Sequence, residues 1–171
     1  KKCRRFTCTA TPKGRADQAD IALTALFGDE IFYMSVQEAQ ALGLIVPIRV
    51  HWHSVVMEKN PAAGKTDPIQ RAKYGIWRNH TRNQEIARAA RQHPDEQVLI
   101  LVEKVDHAVH LRQYLPEFTM VYGQMKPSYE AEYKRNGLLP QDFVQLTPGD
   151  LLRLRDEFTS GTLRKVIATD V

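Results

Sequence analysis

The sequence predicts an α/β protein built on an open parallel sheet, and three observations lead there. Short apolar runs such as "QVLILV" and "KVIATDV" alternate with amphipathic helical patterns in the second half of the chain, the rhythm of parallel strands joined by crossover helices. Helix start and stop signals punctuate the chain between those runs. Finally, "FTCTATP" and "KVIATDV" both end on hydroxyl side chains, where a parallel strand opens into the loops that collect ligands in such sheets.

Taken in order, "FTCTATP" reads as a strand ending at Thr11-Pro12. Ile21, Leu23, Leu26 and Phe27 predict a short helix that Gly28 closes. "EIFYMS" reads as a strand, and Ser35 then caps the helix "VQEAQAL", with Glu38 completing a capping box and Gly43 ending it. "PIRVHWHSVVME" is a further extended run. "EKNPAAGKTDPIQ" holds two prolines and few large apolar residues, so it reads as the linker, with the domain boundary between 60 and 61. Beyond it the sequence predicts a helix over 79–93, the strand "QVLILV", and an amphipathic helix "DHAVHLRQYL" capped by Asp106, with Val109, Leu111 and Leu115 on its apolar side. "FTMVYG" is the next strand. Residues 124–146 read as a solvated helix with a short strand, with a family-specific insertion as the alternative. Thr147 as N-cap, Pro148 at the first helical position and Gly161 as terminator frame a helix before the final strand "KVIATDV".

Composition narrows the class. With 171 residues, 43% apolar and 26% charged, the chain has the balance of an ordinary globular protein, long enough for one domain or one domain plus part of another. No apolar run approaches the roughly 20 residues that span a membrane. Cys3 and Cys8 are too few and too close for a disulfide framework, which fits a reducing, cytoplasmic setting. A net charge of +4 suits a polyanionic partner.

Two motifs fall short on inspection. "NPAAGKT" resembles the phosphate-binding loop G-x-x-x-x-G-K-[ST], but Lys59 stands where the first glycine belongs and Pro68 follows closely, so it reads as a basic loop. His51 and His53 share one face of an extended run, a start for zinc, yet no further ligands accompany them and packing is the simpler reading.

The strand ends carry the functional reading. Thr11 and Thr169 are placed to hydrogen-bond phosphate oxygens, with Arg15, Lys104 and Arg164 supplying charge, although each threonine alone also suits a strand-terminal turn. In the basic stretch "RAKYGIWRNHTRNQEIARAARQ", the arginines and lysine with Tyr74 and Trp77 read either as a phosphate-tracking surface or as an exposed helix with Trp77 in the core.

These pieces resemble superfamily 2 helicases of the DEAD/DEAH-like, phage and type III restriction-like kind. "TATP" is similar to motif III at the end of the first RecA-like domain. "RADQADIALTALFGDEIFYMSVQEAQALGLIVPIRV" resembles the segment crossing to the second domain, "QVLILVEKVDHAVHLRQYL" motif IV and its helix, and "DEFTSGTLRKVIATDV" the approach to motif V. The implied fold is a RecA-like open parallel sheet flanked by helices. Residues 1–60 would be the end of the first RecA-like domain with its crossover, and 61–171 the second, C-terminal domain up to motif V. The phosphate loop and acidic box of the first domain and motif VI of the second are not in this sequence, so an internal portion of a motor, inactive alone as an ATPase, is expected.

The resemblance further implies ATP and Mg²⁺ in the intact protein, a nucleic acid partner with DNA as the first expectation, and a first RecA-like lobe elsewhere in the same protein. Thr9 and Thr11 would couple nucleotide state to the strand, Lys104 and Thr169 would grip the sugar-phosphate backbone, and Asp170 would lie near the nucleotide. No metal ligand is assigned. The setting would be intracellular, phage or bacterial. The competing readings are a non-catalytic nucleic-acid-binding or protein-interaction module on a RecA-like scaffold, and a small α/β enzyme, for which no nucleophile, base and oxyanion set emerges.

Overall fold

A computed structural model of the chain describes residues 6–9, 13 and 19–169. The chain divides into two compact units, one ending at Trp52 and one beginning at His53, so the division lies ahead of the 60/61 boundary read from the linker composition.

Among the described residues of the first unit two helices form, α1 (Ala19–Phe27) and α2 (Val36–Ala41). Both follow the sequence signals. The Ser35 hydroxyl accepts from the Glu38 N–H while Glu38 accepts from the Ser35 N–H at 2.8 Å, the expected capping box. Gly43, at φ +69°, ends α2 in the left-handed conformation that glycine adopts without a Cβ clash. The strands expected at 6–11, 30–35 and 47–58 are corrected: the described residues there are irregular, and none before Val98 belongs to a strand. Alternating side chains make a strand only when a neighbouring backbone takes up its N–H and C=O groups, and the described part of this unit offers none. Its apolar side chains stay in solvent, Phe32 at 74% and Trp52 at 93% exposed, and neither helix has a buried residue.

The second unit is α/β, with a small three-stranded parallel sheet flanked by helices. After α3 (Pro68–Ala72), the helix continues as one π-helical turn, Lys73–Trp77, before α4 (His80–Arg91). There follow β1 (Val98–Val102), α5 (Val105–Arg112), β2 (Thr119–Val121), α6 (Pro127–Arg135), α7 (Pro148–Thr159) and β3 (Lys165–Thr169). The strand order is β1-β3-β2. Ile167 therefore lies between Ile100 and Met120, and Val102 is in register with Thr169, so the carboxyl ends of the outer strand and the central strand finish together.

The core forms where α5 covers the sheet. Ala108, Val109 and Leu111 of α5, Leu115 beyond it and Ile167 of β3 are fully buried. The buried face of α4 consists of Asn83, Ala87 and Ala90, spaced at four and three residues, and these small side chains suit its approach to α5. On β1 the pleat divides the residues: Val98, Ile100 and Val102 turn toward the core, while Leu99 and Leu101 are exposed.

Two helices differ from expectation. Asp106 does not cap α5. Lys104 occupies the N-cap position with extended backbone and no side-chain cap bond, while Asp106 sits in the first turn and accepts from Arg78 Nε (2.9 Å), Arg78 Nη2 (2.7 Å) and the Tyr133 hydroxyl (2.8 Å). Three tertiary donors outcompete a local amide. Within 124–146, α6 forms as expected but no strand does, and α6 is more than a solvated element, because Tyr133 is buried in the core. At α7 the expected frame is present, with Thr147 accepting from the Asp150 N–H, Pro148 at the first helical position and Gly161 at φ +79° after the end; Asp150 adds a capping box by accepting from the Thr147 N–H.

Candidate nucleic-acid interface at the strand ends

The carboxyl ends of the three parallel strands open onto one cleft of about 550 Å³. Glu103, Lys104 and Val105 reach it from the end of β1, Gly123 and Gln124 from beyond β2, and Thr169 from the end of β3; Leu146, Pro148 and Leu151 close it from the start of α7. Lys104 and Thr169, far apart in sequence, thus meet at one cleft. The cause is topological, since β3 returns to the middle of the sheet and ends level with β1.

The chemistry of the cleft suits anionic oxygen. Lys104 stands at the amino end of α5, whose first amides have no side-chain cap and point partial positive charge toward the strand ends. Its ammonium is half exposed and lies 3.0 Å from the Glu103 carboxylate, an exposed pair that water screens and an incoming phosphate can displace. Thr169 is 5% exposed, held in register by the sheet with its hydroxyl type at the cleft wall. One ammonium, one hydroxyl and an amide side chain make a binding set, not a bond-making set.

The other expected site residues are distributed differently. Arg164 is corrected: it precedes β3 at the amino end of the sheet, where its guanidinium binds the Asp95 carbonyl, so it is at the opposite end from Thr169. Thr9 is exposed on irregular backbone. Thr11, Arg15 and Asp170 lie outside the described residues.

Sequence reasoning missed a polar cluster elsewhere in the same unit. The Arg78–Asp106–Tyr133 bonds tie the π-helix end, α5 and α6 together. Burial opposes the Asp106 carboxylate, but its bonds from Arg78 and Tyr133 hold its pKa below the usual range. His107 Nε2 donates to Asn83 Oδ1 at 3.1 Å while the Asn83 amide donates to the Trp77 carbonyl, and burial pushes the His107 pKa down to about 4. Asn79 caps α4, accepting from the Arg82 N–H and donating to the Gly75 carbonyl. The available signal was "RN" pairs beside an otherwise apolar pattern, polar residues at positions that should be core.

Among the described residues no three His, Cys, Asp or Glu side chains gather as a metal site, and "NPAAGKT" forms a turn instead of a loop between strand and helix. No family model, curated protein or solved structure matches this chain.

Proposed function

We propose that the second unit is a RecA-like lobe of an ATP-dependent nucleic acid helicase or translocase, in which Lys104 and Thr169 grip the sugar-phosphate backbone of a single strand. The observation that carries this reading is the meeting of those two residues in one cleft at the carboxyl ends of three parallel strands. A strand-moving protein contacts what repeats along the strand, the phosphates, and the cleft offers charge and hydroxyl donors suited to them. ATP and Mg²⁺ chemistry, with the phosphate-cradling lysine it requires, belongs in this reading to sequence outside these residues. Thr9, Thr11 and Asp170 remain its proposed links between nucleotide and strand.

The test is nucleic-acid-stimulated ATP hydrolysis by the full-length protein. Lys104→Ala combined with Thr169→Val should leave basal hydrolysis unchanged and reduce stimulation by single-stranded DNA at least fivefold. Full stimulation in that variant, or no ATP hydrolysis by the parent protein, would favour the non-catalytic module instead.

A further inference from the structure

The failed phosphate-loop motif has a definite structure. Residues Asn60–Lys65 form a compact turn: the Asn60 side chain accepts from the Ala62 N–H at 2.9 Å, the Asn60 carbonyl accepts from the Ala63 N–H, and the Ala62 carbonyl accepts from the Lys65 N–H. The turn lies against the π-helix at Gly75, where an added Cβ would stand 3.2 Å from the Ala62 Cβ. That approach carries the Lys65 ammonium over the Tyr74 ring, 5.0 Å from its centroid. Arg71, three residues before Tyr74 near the end of α3, is exposed as Tyr74 is.

The ion pairs sort the basic stretch into spent and available charges. Arg78 is bound to Asp106, Arg88 to Glu85, and Arg91 to Glu117. Lys65, Arg71, Lys73 and Arg82 have no carboxylate partner among the described residues, and of these Lys65 and Arg71 are exposed while Lys73 and Arg82 are half-buried. The carboxylate nearest them in sequence, Asp67, is turned to the α3 cap, where it accepts from the Ile69 N–H at 2.9 Å. A π-helical turn is uncommon and often marks a functional place. Here its wider register, with the Arg78 N–H donating to the Lys73 carbonyl, sends Arg78 inward to Asp106 while Tyr74 remains at the surface under Lys65.

We propose that the 60–65 turn and the α3–π-helix segment form a second phosphate-contacting surface, in which Lys65 and Arg71 bind the backbone of a single-stranded nucleic acid and Tyr74 positions Lys65. Lys73 stands on the adjoining flank. The nucleic acid partner is shared with the proposed function, on which this inference rests, but the residues are separate from the strand-end cleft.

The experiment measures binding of a fluorescent 20-nucleotide oligo-dT to the full-length protein over a range of salt concentrations. Lys65→Ala with Arg71→Ala should weaken binding about tenfold at low salt and reduce the slope of log affinity against log salt by about 1.4, two phosphates at ~0.7 each. Lys65→Arg with Arg71→Lys keeps the charge and should restore the slope, and Tyr74→Leu should give an intermediate loss. An unchanged slope in the alanine variant overturns the surface, as does a loss confined to binding of polyglutamate. The cleft variant, Lys104→Ala with Thr169→Val, separates the two readings. Loss only in the cleft variant overturns the surface and leaves the proposed grip standing, and loss only in the surface variant does the reverse.

Discussion

His107 shows how a single buried side chain sets a pH limit on this fold. Its ring is 6% exposed, donates to Asn83, and is faced by Arg82, Asp106 and His110. The folded value of about 4 lies below the ordinary histidine value of 6.5, so between those limits the unfolded chain binds the extra proton. Stability should therefore fall as pH drops from 6.5 toward 4, by on the order of 3 kcal/mol. Urea unfolding at stepped pH checks this, and His107→Gln should flatten that interval. Asp106, with its value lowered, keeps its stabilising charge above the unfolded value and loses it only at still lower pH, through its folded value. Neither residue was legible in the sequence, because cap rules see a few neighbouring amides, while Asp106 is claimed by Arg78 and Tyr133 from other elements.

At the scale of the element, local chemistry was legible where it is self-contained. Thr147, Pro148 and Gly161 frame α7 without help from the rest of the chain, and the same holds for Ser35 and Glu38 at α2. Thr147→Ala should lower the stability of the second unit by about 1 kcal/mol, read as a reduced denaturant midpoint, while Thr147→Ser should retain most of it. The continuous apolar runs of β1 and β3 were equally readable, since both lie in a parallel sheet. The π-helical turn was not, because one inserted residue breaks the 3.6-residue period on which helix reading depends. The run at 30–35 is continuously apolar and that at 47–58 alternates through Ile48, Val50 and Trp52, yet neither pattern supplies the partner strand that a strand needs.

For the whole molecule, the contrast between the two units decides where order resides. The second unit buries a continuous core from α4 through β3, whereas the described helices of the first bury nothing. Hydrogen exchange should accordingly protect the amides of α5 and Val166–Thr169 most strongly and leave Phe32–Trp52 outside α2 close to unprotected rates. Among the described residues no helix is long and apolar enough to cross a membrane. The α/β class and the meeting of Lys104 with Thr169 could be anticipated from strand-helix rhythm. The final run places Arg164 as well: "KVIATDV" starts at Lys165, which puts Arg164 at the amino end of the strand, opposite Thr169.

The most direct measurement is a double-mutant cycle on single-stranded DNA binding, using Lys104→Ala, Thr169→Val and their combination. If the two side chains hold the same stretch of backbone, each single change should weaken binding and the double should lose less than the sum. Lys104→Ala should also reduce the salt slope by about 0.7, which Thr169→Val leaves unchanged. Affinity and slope equal to the parent protein in all three variants would contradict the grip and, with it, the reading of this cleft as a nucleic-acid interface.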